Sequence, residues 1–428
     1  MSSYIVNGGN RLQGEVYVSG SKNAALGVVA AAMVLDGPCV IENVPHISDI
    51  KVLMEICKEL GATIDVKEDG AIHFDATTTN TYQNTGQKPR DIRASYYLMG
   101  ALLGRGKHAL LSLPGGCNFG TRPIDQHIKG FEALGCNVTV AHGNIEIKAD
   151  ELVGTHVYLD MASVGATINL MIASVKVQGV TTIENAAREP HIVDVANFLN
   201  TMGANIKGAG TDVIRITGVE SLPAGATYAV IPDQIEAGTY MIAAAATRGD
   251  VVVKNIIPKH MEPLSVKMEE MGVHTETGDD WVRVWVEEGQ ELSKTTFQTM
   301  PYPGFPTDLQ PQVTTFLCMA SGLSRVYENV WDSRFQFVDE LKLMGADIMV
   351  SEHVALINGP SQLTGARIKA RDLRAGAAMV IAALMATGTS EVYNIKTIER
   401  GYENFIEKIR GLGGDIKIVK TEEVSLKD

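Results

Sequence analysis

Two rhythms of apolar and polar positions alternate along this chain, and the change from one to the other recurs six times. Ile50, Leu53, Met54, Cys57 and Leu60 recur at the period of one helix face. Leu60-Gly61 follows, and Ala62-Thr63-Ile64 then alternates as a half-buried strand would. The same signature returns at Leu134-Gly135, Met202-Gly203, Met271-Gly272, Met344-Gly345 and Leu412-Gly413. The glycines are spaced 74, 68, 69, 73 and 68 residues apart. The third residue after the glycine is Ile or Val each time, except for Thr275. The pattern predicts an amphipathic helix, a glycine in the left-handed conformation that stops it, and a strand leaving from that point. One such Leu-Gly helix end is common; six at near-constant spacing mark a repeat.

A second kind of segment lies in each repeat: Ala24–Leu35, Ala94–Leu103, Ala166–Val175, Ala237–Ala246, Val313–Ala320 and Ala375–Ala386. Each is rich in Ala, Leu, Met and Val with little polar punctuation. A helix apolar nearly all round is buried on most sides, and small residues let neighbours approach closely. Each repeat therefore reads as strands with one amphipathic and one buried helix, an α/β unit. Six units exceed one ordinary domain, and three per domain, with sheets wrapped around buried helices, is the natural grouping. The expected division is residues 20–230 against residues 1–19 plus 231–428. The opening strand, read as Tyr4–Val18, would complete the last domain.

Composition narrows the function classes. With 428 residues, 45% of them hydrophobic, the chain can bury substantial cores. Its net charge of −13 argues against a nucleic-acid partner or an anionic membrane surface, but allows a local basic pocket for a small anion. The longest strictly apolar run, Ala377–Ala386, is too short to span a bilayer, and the first residues lack a secretory pattern. Cys39, Cys57, Cys117, Cys136 and Cys318 are scattered, with no CxxC, which fits a reducing compartment. No two of the ten histidines stand three or four apart, so no zinc-helix pattern exists. The reading is a soluble cytoplasmic protein without metal or cofactor.

Candidate chemistry gathers where the buried helices begin. The six starts read Ser21-Lys22-Asn23, Asp91-Ile92-Arg93, Ser163-Val164-Gly165, Asp233-Gln234-Ile235-Glu236, Pro306-Thr307-Asp308 and Arg371-Asp372-Leu373-Arg374. Ser, Thr and Asp there can cap helices. Lys22, Arg93 and Arg374 do not fit that role, because cations are disfavoured at a helix N-terminus unless an anion compensates them. The starts together point to a phosphate- or carboxylate-bearing ligand held in a cleft between the two domains. Cys117 stands apart from the other cysteines, in the Pro- and Gly-rich segment Leu113–Pro123, close in sequence to Arg122. A cationic neighbour would favour its thiolate, although an incidental surface thiol reads equally well. Asp308, in Tyr302-Pro303-Gly304-Phe305-Pro306-Thr307-Asp308, is the best candidate base, with helix capping as the alternative. Arg400 reads either as an anion ligand or as the partner of Glu399 or Glu403.

Ser21-Lys22-Asn23-Ala24-Ala25-Leu26, Pro114-Gly115-Gly116-Cys117, Arg122-Pro123-Ile124-Asp125, Ser163-Val164-Gly165-Ala166-Thr167, Pro303–Asp308, Asp372-Leu373-Arg374-Ala375 and Arg400-Gly401-Tyr402-Glu403 together resemble the UDP-N-acetylglucosamine 1-carboxyvinyltransferases of bacterial peptidoglycan synthesis. The resemblance covers essentially the whole chain. It implies a two-domain inside-out α/β barrel of six βαβαββ repeats, shared with the shikimate-pathway enolpyruvyl transferase. It implies transfer of the enolpyruvyl group of phosphoenolpyruvate to the 3′-hydroxyl of UDP-N-acetylglucosamine, through a tetrahedral ketal, with release of phosphate. By the same resemblance Lys22, Asn23, Arg122 and Arg400 bind phosphoenolpyruvate, Cys117 is the general acid, and Asp308 takes the hydroxyl proton. Arg93, Arg122, Pro123, Ile124, Asp125, Gln126, Ser163, Val164, Gly165, Asp308 and Val330 hold the nucleotide sugar, and Asp372 and Arg374 support the intermediate. Cys117 would also be the site alkylated by fosfomycin-type epoxides. Asn118-Phe119 departs from the residues usual after the family cysteine.

Two other readings stay open at this level. The shikimate-pathway transferase shares the fold and donor, although Cys117 and Arg122-Pro123-Ile124-Asp125 favour the nucleotide-sugar enzyme. A catalytically silent paralogue that binds UDP-N-acetylglucosamine is the second, although all the proposed catalytic residues are present.

Overall fold

The computed structural model describes residues 2–113 and 124–420. They form two compact units: residues 2–19 together with 232–420, and residues 20–113 together with 124–231. Each unit has its own hydrophobic core.

All six signature glycines adopt positive φ, between 89° at Gly413 and 108° at Gly203. They end the helices Ser48–Glu59, Asp125–Ala133, Pro190–Thr201, Glu262–Glu270, Val338–Leu343 and Phe405–Gly411. The expected helix stop is thus a left-handed turn that a side chain would strain. The buried helices are Lys22–Ala32, Tyr97–Gly106, Val164–Ser174, Gln234–Ala246, Gln310–Phe316 and Leu373–Met385. Two starts differ from expectation. Arg93–Tyr96 and Thr307–Leu309 are tight 3-10 turns that lead into their helices, so Arg93 and Asp308 stand one turn ahead of the α-helical backbone. Close helix approach is carried by small residues, as the composition suggested. A Cβ on Gly100 would lie 2.3 Å from the carbonyl oxygen of Asn169, on the neighbouring buried helix.

The strands form six four-stranded sheets of one plan. In one of them His156–Tyr158 runs parallel to Val180–Glu184, followed antiparallel by Val213–Thr217 and then Asn205–Lys207. The parallel pair needs a long crossover, and the buried helix Val164–Ser174 supplies it. The amphipathic helix Pro190–Thr201 connects the next pair, so the repeat is βαβαββ.

The chain begins and crosses over by exchanging strands within this plan. Gln13–Tyr17 precedes the buried helix Lys22–Ala32 in sequence, yet pairs in parallel with Asp250–Lys254. Thr227–Ala229 precedes Gln234–Ala246, yet pairs in parallel with Cys39–Glu42. Both exchanges fall where the chain passes from one unit to the other, after Ser19 and after Ile231. The opening segment is two strands rather than the single one expected. Only Ser2–Asn7 joins the last sheet, between Thr389–Tyr393 and Asp415–Lys420. The break comes at Gly8, where a Cβ would lie 2.0 Å from the carbonyl oxygen of Ala386.

The end of the stretch from Gly20 to Ile231 is fastened by a buried acid. Asp194, 1% exposed on Pro190–Thr201, accepts from the Tyr228 hydroxyl at 2.6 Å and from the Ile231 N–H at 3.3 Å. Burial pushes its carboxyl up to about 6, against the opposing pull of these two hydrogen bonds. The folded chain therefore holds this proton more tightly than the unfolded chain does. That stabilisation is complete below the ordinary carboxylate range and is lost as pH rises through about 6. Asp194→Asn removes the loss. Between pH 4.5 and 7.5 its urea stability is expected to gain about 2 kcal/mol relative to the parent. Parallel urea curves for the two proteins across that interval would contradict the assignment.

Candidate active site

In the unit spanning Gly20 to Ile231, Ser21 caps its helix by accepting from the Ala24 N–H, leaving Lys22 as the first helical residue. The compensation expected for a cation there is supplied from inside the unit. The Lys22 ammonium lies 2.8 Å from the carboxylate of Asp49, and the two side chains are 12% and 7% exposed. Asp49 sits in the first turn of the neighbouring helix Ser48–Glu59, where an acid is favoured. Asn23 follows Lys22 in the same turn and is half-buried.

A second group in this unit brings together Arg93, the start of helix Asp125–Ala133 and the start of helix Val164–Ser174. The Gln126 side chain donates to the carboxylates of Asp125 at 3.0 Å and Asp160 at 3.2 Å, and it accepts from the Asp160 N–H at 2.8 Å. Three residues on, Ser163 caps the helix through the Ala166 N–H. Asn169 donates to His127 Nδ1 at 3.0 Å and to the carbonyl of Gly165 at 3.3 Å, and accepts from the Gly100 N–H at 2.8 Å. With Nδ1 accepting, the ring proton of neutral His127 sits on Nε2. Burial, reinforced by the positive charge of Arg93, pushes the imidazole down to about 4 despite Asp125. A Cβ on Gly165 would lie 2.9 Å from His127 Nε2, so only glycine fits beside this ring. The Arg93 guanidinium lies over the Tyr96 ring, 5.4 Å from its centre. Burial lowers the Arg93 pKa, while Tyr96 and Tyr97 oppose the shift. Ile124 immediately precedes the Asp125 helix and is half-buried. Cys117, Arg122 and Pro123 lie outside the described residues.

In the other unit, Asp308 is the centre of a charge cluster. Its Oδ2 accepts from Arg374 Nε at 3.1 Å and lies 3.1 Å from Arg374 Nη2, while its Oδ1 accepts from Arg334 Nη2 at 3.3 Å. Both arginine side chains are nearly inaccessible, and the Asp308 side chain is 30% exposed. Asp372 caps the helix through the N–H groups of Arg374 and Ala375, fixing where Arg374 enters. Burial opposes the Arg374 charge, but Asp308, Tyr402 and Asp233 outweigh it and hold this guanidinium above its ordinary pKa. The Arg374 guanidinium also lies over the Tyr402 ring at 5.4 Å, and the Tyr402 hydroxyl meets Thr239 and Gln312 in the core. Arg400 is two residues before Tyr402, on a turn closed by the Gly401 and Tyr402 N–H groups bonding to the carbonyl of Ile398. Tyr402 thus ties the Arg400 turn to the Asp308 cluster. In the same unit the Val330 N–H is bonded to the buried carboxylate of Glu328.

Asp49, His127, Asn169, Glu328, Arg334 and Tyr402 were not singled out from sequence. Arg334 lies in the mixed stretch Trp331-Asp332-Ser333-Arg334-Phe335, where nothing local marks it out from an ordinary surface cation. Asp49 looks like any acid in a first helical turn. Cys39, Cys57, Cys136 and Cys318 are buried, and burial pushes each thiol up. Among the described residues no cluster of His, Cys, Asp and Glu could hold a metal, and no helix is long and apolar enough to cross a membrane.

A family profile described as EPSP synthase (3-phosphoshikimate 1-carboxyvinyltransferase) matches residues 6–409. The chain belongs to this family of enolpyruvyl transferases. Among similar proteins is one named UDP-N-acetylglucosamine 1-carboxyvinyltransferase 3 from Caldanaerobacter subterraneus. It is 53% identical over 416 residues, covering 97% of this chain and 99% of its own. A second, UDP-N-acetylglucosamine 1-carboxyvinyltransferase 2 from Clostridium acetobutylicum, is 54% identical over 418 residues, covering 97% and 99%. The crystal structure of the enolpyruvyl transferase NikO from Streptomyces tendae superposes with a TM-score of 0.90 at 27% identity, covering 98% of this chain and 99% of that one. An EPSP synthase structure from Acinetobacter baumannii, 17% identical, shares the fold with a TM-score of 0.74, covering 98% and 100%. This enolpyruvyl transferase has the two-domain inside-out α/β barrel fold that the family resemblance implied.

Proposed function

We propose that this enolpyruvyl transferase moves the enolpyruvyl group of phosphoenolpyruvate to the 3′-hydroxyl of UDP-N-acetylglucosamine, releasing phosphate, as the first committed step of peptidoglycan synthesis in the cytoplasm. The observation that carries the reading is the 53–54% identity, across nearly the whole chain, to proteins named for that reaction. The polar groups support it, because the donor carries a carboxylate and a phosphate and the chain keeps several cations in shielded positions.

In this reading Lys22, Asn23, Arg122 and Arg400 bind phosphoenolpyruvate. Arg93, Arg122–Gln126, Ser163–Gly165 and Val330 hold the nucleotide sugar. The acceptor oxygen attacks the central carbon of the donor while the Cys117 thiol protonates the methylene carbon, giving a methyl group and a tetrahedral ketal. Asp308 takes the hydroxyl proton. The methyl group then returns a proton to the Cys117 thiolate, restoring the double bond as the carbon–oxygen bond to phosphate breaks, and the departing phosphate takes the proton held by Asp308. No redox change occurs and no cofactor is required. The two arginines against Asp308, Arg374 on Oδ2 and Arg334 on Oδ1, fix the orientation of its carboxylate. Asp372 and Arg374 act by holding that geometry.

Phosphate release from phosphoenolpyruvate tests the reading, measured alone, with UDP-N-acetylglucosamine and with 3-phosphoshikimate. Release with the nucleotide sugar alone is expected. Release only with 3-phosphoshikimate would move the chain to the shikimate reaction. Binding of the nucleotide sugar without any release would make it a silent paralogue.

A further inference from the structure

The strand Gly322–Tyr327 leads into Glu328, a residue 1% exposed. A carboxylate buried this deeply is costly unless donors satisfy it. Four donors do so. Oε1 accepts from Thr299 Oγ1 at 2.9 Å and from the N–H groups of Val330 at 2.9 Å and Trp331 at 3.1 Å. Oε2 accepts from Thr307 Oγ1 at 3.0 Å. Thr299 Oγ1 in turn accepts from the Asn329 N–H at 2.9 Å, and Asn329 Nδ2 donates to the Thr299 carbonyl at 3.0 Å.

These partners are not a random selection of nearby groups. Thr307 opens the 3-10 turn Thr307–Leu309 that carries Asp308. Val330 and Trp331 begin the segment that leads to Arg334, the second cation on Asp308. One carboxylate therefore joins the backbone that presents the proposed base to the backbone that presents a proposed nucleotide-sugar contact and one of the base's two cations. Packing alone would be served better by an apolar side chain at this depth. We propose that Glu328 is a positioning residue of the transferase, setting Asp308 and Val330 in register so that the acceptor hydroxyl and its base meet. The proposal rests on the reaction assigned above. It requires no contact between Glu328 and either substrate.

Thr307→Val is the sharpest test. It keeps the side-chain shape and removes only the hydroxyl through which Glu328 reaches the Asp308 turn. A misplacement of the base on the order of 1 Å costs roughly 100-fold in rate. We expect kcat to fall at least about tenfold, with KM for UDP-N-acetylglucosamine within about twofold of the parent. Glu328→Ala severs both arms and should lower kcat and also raise that KM about tenfold. Glu328→Gln is the rescue. Its amide oxygen can keep the Val330 and Trp331 N–H groups, and its NH2 can donate to the Thr307 hydroxyl, so kcat should stay within about threefold. Rates are taken per site competent to bind UDP-N-acetylglucosamine by calorimetry. If Glu328→Ala does not fold, Thr307→Val decides by itself. A Thr307→Val enzyme with parental kcat overturns the proposal while leaving the assigned reaction intact. A parent protein that releases no phosphate with UDP-N-acetylglucosamine overturns the assigned reaction, and this proposal with it.

Discussion

Lys22→Met should abolish detectable phosphate release and lower unfolding stability by about 3–5 kcal/mol. Both effects follow from the same ion pair. The Lys22 ammonium and Asp49 carboxylate lie 2.8 Å apart with little solvent access, so removing the cation takes a close ion-pair partner from a buried anion. Methionine matches the length of the lysine stem, which limits the loss from packing. The helix N-terminus next to Asp49 offsets part of the cost and favours the lower end of the range. Stability and chemistry separate in the double variant Lys22→Met with Asp49→Asn. Its urea stability should recover most of the loss, because the buried negative charge is removed together with its cation, while phosphate release stays absent. Turnover by Lys22→Met within tenfold of the parent would remove Lys22 from the donor site.

Asp308→Asn should lower kcat by about 10²- to 10⁴-fold, the range expected when a positioned base is lost. It should also destabilise the fold by a few kcal/mol, because Arg334 and Arg374, 2% and 4% exposed, would face each other across a neutral amide. Adding Arg374→Met removes one of the two cations. Stability should rise again toward the parent while kcat stays low. Urea unfolding and single-turnover phosphate release give the two readouts. An Asp308→Asn enzyme within threefold of parental kcat would exclude Asp308 as the proton acceptor. Full stability without recovery by Arg374→Met would show that the arginines do not depend on its charge.

Much of the fold was readable because its determinants are local. The six Leu-Gly and Met-Gly signatures require a positive φ at a helix end, and Gly61, Gly135, Gly203, Gly272, Gly345 and Gly413 all have it. The uniformly apolar helices announced their burial by lacking a polar face, as in Leu373–Met385, where nearly every residue is buried. Caps read at Ser21, Ser163, Asp233 and Asp372 are formed by those side chains. Asp91 and Thr307, which look equally suited, make other bonds: Asp91 accepts from Gln87, and Thr307 donates to Glu328. A capping side chain competes with every other partner the fold brings near, and the competing partner is not visible in a short window of sequence.

The sequence by itself determined the number of repeats, the two helix types within each, and the polar residues gathered at the starts of the buried helices. Those features depend on residues within a few positions of one another, where helix period, cap chemistry and glycine backbone freedom act directly. Only the tertiary structure decided which charge answers which. Asp49 reaches Lys22 across 27 positions, Arg374 reaches Asp308 across 66, and the opening strands separate into two different sheets. Such pairings are chosen by burial, because a charge withdrawn from water must find its opposite in whatever segment the packing delivers, however distant along the chain.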